Sequence, residues 1–384
     1  MAETHKFTTD RVHYTWHKEH EPILTIDSGD TVVFEIREVS DNQFNFHSTT
    51  EAISELDWDY VYPLSGPVYI NGAEPGDTLA VEILDLKTKH WGWTAVLPGL
   101  GLLAEDYPDA YLRTFDLSDG KYIHFSDDIK VPIEPFLGTM GVCPKDGDGT
   151  PIMPPGNFGG NLDVRQLTIG TKLYLPVQQA GALFSCGGGH AAQGDGEVCV
   201  SALECPMYAS LKFTVIKASE KSIPSPQFQT KGGLTQKVNH DDFYGTTGVG
   251  PDLMTGAQEA LRTMIDYVSE TYNMEKIDAY LLASLCVDLK ISELVDAGQY
   301  VVSALLPLSI FDDSEKSIRT KLSYSKFNKF SVSASGIYKF SMDLRQYSGH
   351  IFRESFFETN PLSRMSSFPL NIKWKNVFDI KRKR

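Results

Sequence analysis

The sequence predicts a mainly β protein, with a β-sandwich or barrel-like N-terminal region and an α+β part nearer the C-terminus. Apolar residues alternate with period two in segments such as 31–37 and 78–86. In the second segment Leu79, Val81 and Ile83 share one face of a strand. Turn signals rich in Gly, Asp, Asn and Pro separate such segments. Many short strands divided in this way are typical of sandwiches and barrels.

Helical signals come late in the chain. Thr255 and Gln258 have the spacing of a capping box, in which the two side chains satisfy free backbone N–H groups. Apolar residues at helical spacing follow it: Leu261, Met264, Ile265 and Val268. A second helix is predicted around residues 275–284, and renewed alternation predicts a strand over residues 285–291.

These patterns and the charge distribution divide the chain into three parts. Residues 1–215 are the β-rich region, residues 216–312 the α+β part, and residues 313–384 a basic tail. The tail contains 15 Lys/Arg and 6 Asp/Glu, a net charge of +9, which leaves 20 and 44 in the first 312 residues, a net charge of −24. An acidic body disfavours binding to nucleic acid or anionic membranes but does not affect a small neutral substrate.

Composition also predicts the cellular setting. No apolar run approaches the ~18–20 residues of a membrane span, and the polar N-terminus lacks a signal-peptide core. The five cysteines are irregularly spaced and include no CxxC pair, which indicates reduced thiols rather than a disulfide framework. We therefore expect a soluble, cytoplasmic protein.

The first segment that suggests chemistry is GNFGGNLD, residues 156–163. Gly and Asn tolerate positive φ and permit close backbone approach. Asn157, Asn161 and Asp163 bring polar side chains into this one loop. On spacing alone, a tight turn whose Asn and Asp bond their own backbone is the commoner interpretation.

The second segment is SCGGGHAAQGDGE, residues 185–197. It contains His190, Gln193, Asp195 and Glu197 among five glycines. Imidazole and carboxylate together suit a divalent ion such as zinc, which polarises an amide carbonyl and acidifies water. A carboxylate could pass the proton to the leaving nitrogen. The alternative is a Gly-rich loop with a hydrogen-bonded histidine.

Two other sets of residues permit different chemistry. Cys186 or Cys199 could be a nucleophile, although a buried inert thiol is the commoner case. Trp91 and Trp93 could form a stacking platform in a carbohydrate-binding sandwich, although Trp in β structure is more often core.

The two loops resemble the acetamidase/formamidase family, whose patterns are GNxGGNxD and GDxHxxQGDGE. The first is matched at every fixed position of residues 156–163, and the second from His190 to Glu197. Shorter agreements precede them in the family's order: PLSGP at residues 63–67, GAEPGD at 72–77 and PFLG at 135–138.

The resemblance implies an amidase that hydrolyses a carbon–nitrogen bond in a small linear amide. Formamide or acetamide would give ammonia and a short carboxylate. It also implies a divalent metal, expected to be zinc, and a homo-oligomer. The candidate metal ligands are Asp163, His190 and Glu204, and the candidate catalytic residues are Glu197 as general acid/base, Asp195 and His190. The candidate substrate contacts are Asn157, Asn161 and Gln193.

Two positions depart from the family pattern. Gly188 stands where the pattern has Asp two residues before the histidine, and Tyr62 stands where relatives often have His. Tyrosine is a poor zinc ligand at neutral pH because its pKa is near ~10. An alternative function is therefore a catalytically impaired member that binds small ligands, in which Gly188→Asp would raise activity and metal affinity.

Overall fold

The computed structural model describes residues 2–7, 11–231, 242–295 and 298–311, all within one compact unit. Strands make up 41% of the structure and helices 15%, with a helix-plus-sheet part near the C-terminus, so the predicted fold class is confirmed. The predicted division after residue 215 stays a prediction. The predicted basic tail, residues 313–384, lies outside the described residues.

Short strands follow one another along most of the chain, and the α-helices come late. The strands are β1 Thr4–Phe7, β2 Val12–His13, β3 Thr15–His17, β4 Leu24–Ile26, β5 Thr31–Ile36, β6 Leu64–Ile70, β7 Thr78–Thr88, β8 Trp91–Val96, β9 Tyr111–Asp116, β10 Tyr122–Ser126, β11 Ile129–Pro132, β12 Phe136–Gly141, β13 Asp148–Pro151, β14 Gly159–Asn161, β15 Lys172–Pro176, β16 Phe184–His190, β17 Met207–Ile216, β18 Gln227–Gln229, β19 Phe243–Gly250, β20 Asp288–Glu293 and β21 Tyr300–Pro307. The α-helices are α1 Leu253–Tyr272 and α2 Lys276–Cys286.

Two six-stranded sheets form most of the β region, beside three two-stranded sheets. The first has the order β1-β5-β17-β7-β15-β18, and the second β14-β12-β16-β6-β2 with β4 paired to β6. Aromatic rings join them: Phe184 of β16 lies 6.3 Å from Phe34 of β5 and 4.9 Å from Phe213 of β17, between ring centroids. All three rings are buried, so the two sheets share one core.

The predicted alternation in β7 is confirmed. Leu79, Val81 and Ile83 are each at most 1% exposed, and β7 pairs with β17 on one side and β15 on the other. These three residues lie on one face of the strand, as their period-two spacing predicts, and their neighbours Thr78 and Ala80 are buried as well.

The helices lie where the periodicity predicted them, but the predicted capping box at α1 was wrong. Asp252 is the N-cap, and its carboxylate accepts from the Thr255 N–H at 2.8 Å. Gln258 instead donates to the backbone oxygen of Leu102 at 3.0 Å. The helix begins earlier than the capping motif because Asp is an equally good cap. No helix within the described ranges has the length and apolarity that crossing a membrane requires.

The α+β part consists of α1, α2 and the sheet β19-β21-β20, and it holds the loop that follows β16. Ser284 Oγ in α2 donates to the Ser201 oxygen at 2.8 Å, and its backbone oxygen accepts from Gly194 N at 2.9 Å. Tyr280 Oη donates to the Val198 oxygen at 2.6 Å. The predicted strand over residues 285–291 begins only at residue 288, because α2 extends to residue 286.

A buried histidine ties the N-terminal strands to β16. His13 Nδ1 lies 2.8 Å from the Thr15 oxygen, and Nε2 lies 2.9 Å from Ser185 Oγ. Since a carbonyl only accepts, Nδ1 carries the proton and Nε2 accepts from the serine. Burial, reinforced by the charge of His20, lowers the pKa of His13 to about 4.

We therefore predict that acid destabilises the protein through His13. Its pKa is about 4 when folded and 6.5 when unfolded, so the unfolded state binds more protons between these values. The contribution of His13 to the free energy of unfolding is fully present above pH 6.5. It falls by up to about 3 kcal/mol as the pH approaches 4. Urea unfolding of the wild type and of His13→Gln across this range should show a steeper loss for the wild type. Parallel pH profiles would contradict the assignment.

Candidate metal centre

Three neighbouring strands of the second sheet bring the two motif loops together. β12 lies between β14 and β16, so that Thr139 pairs with Asn161 on one side and Phe136 pairs with His190 on the other. Asp163 follows two residues after β14. Glu204 joins by an isolated antiparallel bridge to His190. Residues far apart in the sequence thus converge at one end of β12.

Among the buried side-chain atoms without a hydrogen-bond partner within the described residues, three lie together in this cluster: Asp163 Oδ1, His190 Nε2 and Glu204 Oε2. The last two lie 3.2 Å apart, within ion-pair distance but without hydrogen-bond geometry. Buried polar atoms without partners are rare and require an explanation. Two ligand atoms ~2.1 Å from a tetrahedral ion are about 3.4 Å apart, so the observed spacing fits a shared cation.

Gly138 keeps space beside these atoms. A Cβ at this position would lie 2.5 Å from Asp163 Oδ1 and 3.1 Å from His190 Nε2. The Gly138 oxygen also accepts from the Asp163 N–H at 3.1 Å. A side chain at this position would therefore crowd both candidate ligand atoms.

Gln193 fixes the orientation of the histidine. Its Oε1 lies 2.9 Å from His190 Nδ1, and its Nε2 donates to the backbone oxygen of Asp163 at 2.9 Å. An amide oxygen accepts, so His190 carries its proton on Nδ1 when neutral and presents Nε2 as a free lone pair. Both polar ends of Gln193, predicted to contact substrate, are therefore engaged by the protein.

The charges in the cluster favour a bound cation. Burial lowers the pKa of His190, but contact with Glu204 and the charges of Glu197 and Asp163 outweigh it and raise the pKa to about 10. Burial raises the pKa of Asp163 to about 6. Burial and the charge of Asp163 raise the pKa of Glu197 well above its usual range. The site therefore attracts positive charge, and a metal would displace the imidazole proton.

Two overlapping ligand sets are present. Single ligand atoms of Asp163, His190 and Glu197 all lie within 4.8 Å of one another, whereas the atoms without partners belong to Asp163, His190 and Glu204. Asp163 and His190 are common to both. Glu204 is 3% exposed and Glu197 is half-buried, so the deeper carboxylate is the better ligand and the other is nearer to solvent.

A model of the acetamidase/formamidase family matches residues 2–147 and 146–313 of this chain. The chain belongs to the acetamidase/formamidase family. The family prediction is thereby confirmed, and with it the prediction of an enzyme of the formamidase/acetamidase type.

Individual relatives cover most of this family member. The formamidase of Methylophilus methylotrophus is 24% identical over an alignment of 365 residues. The match covers 79% of this chain and 90% of the relative. The acetamidase crystal structure from Bacillus halodurans is 30% identical, with a TM-score of 0.57, and the match covers 79% of this chain and 97% of that one. A gamma lactamase from Delftia acidovorans, 24% identical, has a TM-score of 0.74 over 81% of this chain and 94% of its own, which shows a shared fold.

The two departures from the family pattern meet in the structure. Tyr62 Oη donates to Asn161 Oδ1 at 2.7 Å, and Thr139 Oγ1 donates to the same oxygen at 2.7 Å. A Cβ at Gly188 would overlap the Tyr62 hydroxyl and lie 3.0 Å from its Cζ. Burial, with the nearby carboxylates, raises the pKa of Tyr62 well above its usual range, so the hydroxyl remains a donor. The sequence did not indicate that positions 62 and 188 touch.

Two further predicted site residues are hydrogen-bonded to other parts of the protein. Asp195 Oδ1 accepts from Arg165 Nε at 3.0 Å, and Arg165 also pairs with Asp288 at 2.6 Å, which makes a structural ion network. Asn157 is exposed, and its Oδ1 accepts from Gln178 at 3.1 Å. Both side chains are thus hydrogen-bonded to residues other than the candidate ligands.

The structure also shows where the residues of the two alternatives lie, namely the tryptophan stacking platform and the cysteine nucleophile. Trp91 and Trp93 are 9% and 3% exposed, and Trp93 Nε1 donates to the buried Glu38 at 2.8 Å, so both rings belong to the core. Cys186 and Cys199 are buried, and burial raises the pKa of each thiol. A buried thiol with a raised pKa is a weak nucleophile.

Proposed function

We propose that this chain hydrolyses the carbon–nitrogen bond of small linear amides such as formamide or acetamide, giving a carboxylate and ammonia, with a divalent ion held by Asp163, His190 and Glu204. The observation that carries the proposal is the convergence of three buried ligand atoms that lack hydrogen-bond partners among the described residues. The names of the relatives, formamidase and acetamidase, support the reaction.

The donor set supports zinc as the ion. Imidazole nitrogen and carboxylate oxygen are both ligand types of catalytic zinc sites, which keep a further position open. Glycine at position 138 keeps a side chain away from Asp163 and His190, as an open position there would require. A zinc ion supplies Lewis-acid chemistry, by polarising the amide carbonyl and acidifying water.

Glu197 is proposed as the group that moves the proton. Its position beside Asp163 and His190 suits a carboxylate that takes a proton from water and returns it to the departing nitrogen. Gln193 holds the imidazole, and Asn161 supplies a hydrogen-bond donor to the amide oxygen. The expected cytoplasmic location, the homo-oligomer and the absence of nucleic-acid and membrane partners remain predictions.

Ammonia release from formamide and acetamide by the purified full-length protein tests this function, with zinc content determined on the same sample. Turnover is expected. A protein that holds one zinc per chain and releases no ammonia from either amide would contradict it.

The variant Glu197→Gln separates proton transfer from metal binding. We expect kcat to fall by about 100-fold or more, as for the loss of a general acid/base, while zinc per chain stays unchanged. If zinc is lost instead, Glu197 is a ligand, and the roles of Glu197 and Glu204 exchange.

A catalytically impaired, ligand-binding member is the second candidate. Gly188 favours it, since a carboxylate of the family pattern is missing there. Binding of acetamide without turnover, by protein loaded with zinc, would support this candidate over the amidase.

A further inference from the structure

The two ends of the Asn161 side-chain amide differ in their hydrogen bonds: the oxygen accepts two, and the NH2 group remains available as a donor. Its Oδ1 accepts from both Tyr62 and Thr139 at 2.7 Å. Over the ranges that the structure describes, its NH2 group donates no hydrogen bond to the protein, and the residue is half-buried. Two hydroxyl donors on one oxygen determine which end of the amide faces away from them.

The Tyr62 hydroxyl reaches Asn161 only because residue 188 is glycine. A Cβ there would overlap Oη and come within 3.2 Å of the Tyr62 ring at Cε1. Tyr62 itself is held at a φ of 74°, with its N–H bonded to the Val39 oxygen at 2.9 Å. A non-glycine residue at positive φ is costly and persists where its surroundings require it.

We propose that Tyr62 is a positioning residue that occupies the space of a side chain at position 188 and holds Asn161 Oδ1, so that the Asn161 NH2 group is presented to the substrate carbonyl oxygen. This inference rests on the proposed amidase function. Positions 62 and 188 then form one exchangeable unit: a tyrosine requires a glycine opposite it, and a carboxylate at 188 requires a shorter residue at 62.

Correct placement of the Asn161 donor should mainly lower the free energy of the transition state. Negative charge develops on the amide oxygen during attack, and a donor already aimed at it lowers the barrier. Loss of the Tyr62 hydroxyl leaves Thr139 alone to hold the Asn161 oxygen, so the donor is less well placed. Tyr62, Asn161 and Thr139 are not proposed metal ligands, so zinc binding should not change in variants of these residues.

An activity cycle tests the positioning role. Tyr62→Phe should lower kcat for formamide by about 10- to 100-fold, and Asn161→Ala by about 100-fold or more, each with unchanged zinc per chain. The double variant should match Asn161→Ala alone, because Tyr62 acts through Asn161. Thr139→Val should resemble Tyr62→Phe. A Tyr62→Phe loss that persists in full without Asn161 would overturn the positioning role.

A stability cycle tests the shared space without any use of activity. Gly188→Ala should lower Tm by several degrees more in the wild type than in Tyr62→Phe, because the positive φ of 58° costs the same in both and only the overlap with the hydroxyl differs. Equal decreases would overturn the shared space. An inactive wild type would overturn the proposed function and the role of Asn161 with it, whereas an active wild type that is indifferent to Tyr62→Phe would overturn the positioning alone.

Discussion

Replacing His190 with alanine should abolish zinc binding and lower kcat/KM for formamide by about 1,000-fold or more, since the metal contributes several kcal/mol to the transition state. The histidine supplies the only nitrogen in the proposed ligand set, and Gln193 fixes its Nε2 toward the two carboxylates. Zinc per chain and ammonia release, measured on the same preparation, check both effects.

The matched control is His124→Ala. His124 is paired with Asp119 at the surface, and its side chain is 54% exposed. The control should keep both zinc and turnover. If His190→Ala retained one tightly bound zinc per chain, the proposed ligand set would be incorrect.

The second large effect is expected from a residue that bears no ligand atom. Gly138→Ala would place a methyl group 2.5 Å from Asp163 Oδ1 and 2.8 Å from His190 Cε1. We expect zinc affinity to fall by about 100-fold or more, at the upper end of effects from residues behind the ligands, and turnover to fall with it.

Gly245→Ala is the comparison for this variant. Gly245 also lies in a strand, β19, where an added Cβ would meet only Leu305 Cδ2, at 3.2 Å, and the Ala304 oxygen, at 4.0 Å. It should change stability modestly and leave zinc affinity unchanged. Similar zinc affinity in Gly138→Ala and the wild type would show that the metal does not use the space beside Asp163.

The variant Gly188→Asp is not by itself a fair test of the impaired-enzyme alternative. Gly188→Asp alone would drive its Cβ into the Tyr62 hydroxyl, so a failure of that single variant to gain activity does not count against the impaired-enzyme alternative. The pair Tyr62→His with Gly188→Asp removes the overlap. If the impaired-enzyme alternative holds, this pair should raise metal affinity and turnover above the wild type.

Patterns of local sequence predicted the strands and helices that have one buried face. Leu79, Val81 and Ile83 lie on the core as their period-two spacing required. The cap of α1 was missed because Asp252 and Thr255 are both good capping residues, and local sequence does not rank them.

The site was predictable only in part, because its contacts cross between strands. The motifs identified Asp163 and His190, but the separate placement of Asp195 depends on Arg165, thirty residues away. Gly138 and Tyr62 gave no chemical signal of their own. The first lacks a side chain and the second replaces a histidine, so their roles follow from what they face across β12 and β16.

The most direct test of the metal-dependent amidase is removal and return of the ion. The purified protein should release ammonia from formamide, lose that activity on treatment with a chelator as zinc leaves, and regain it when one equivalent of zinc is restored. Undiminished turnover by protein from which the metal has been removed would contradict a metal-dependent reaction.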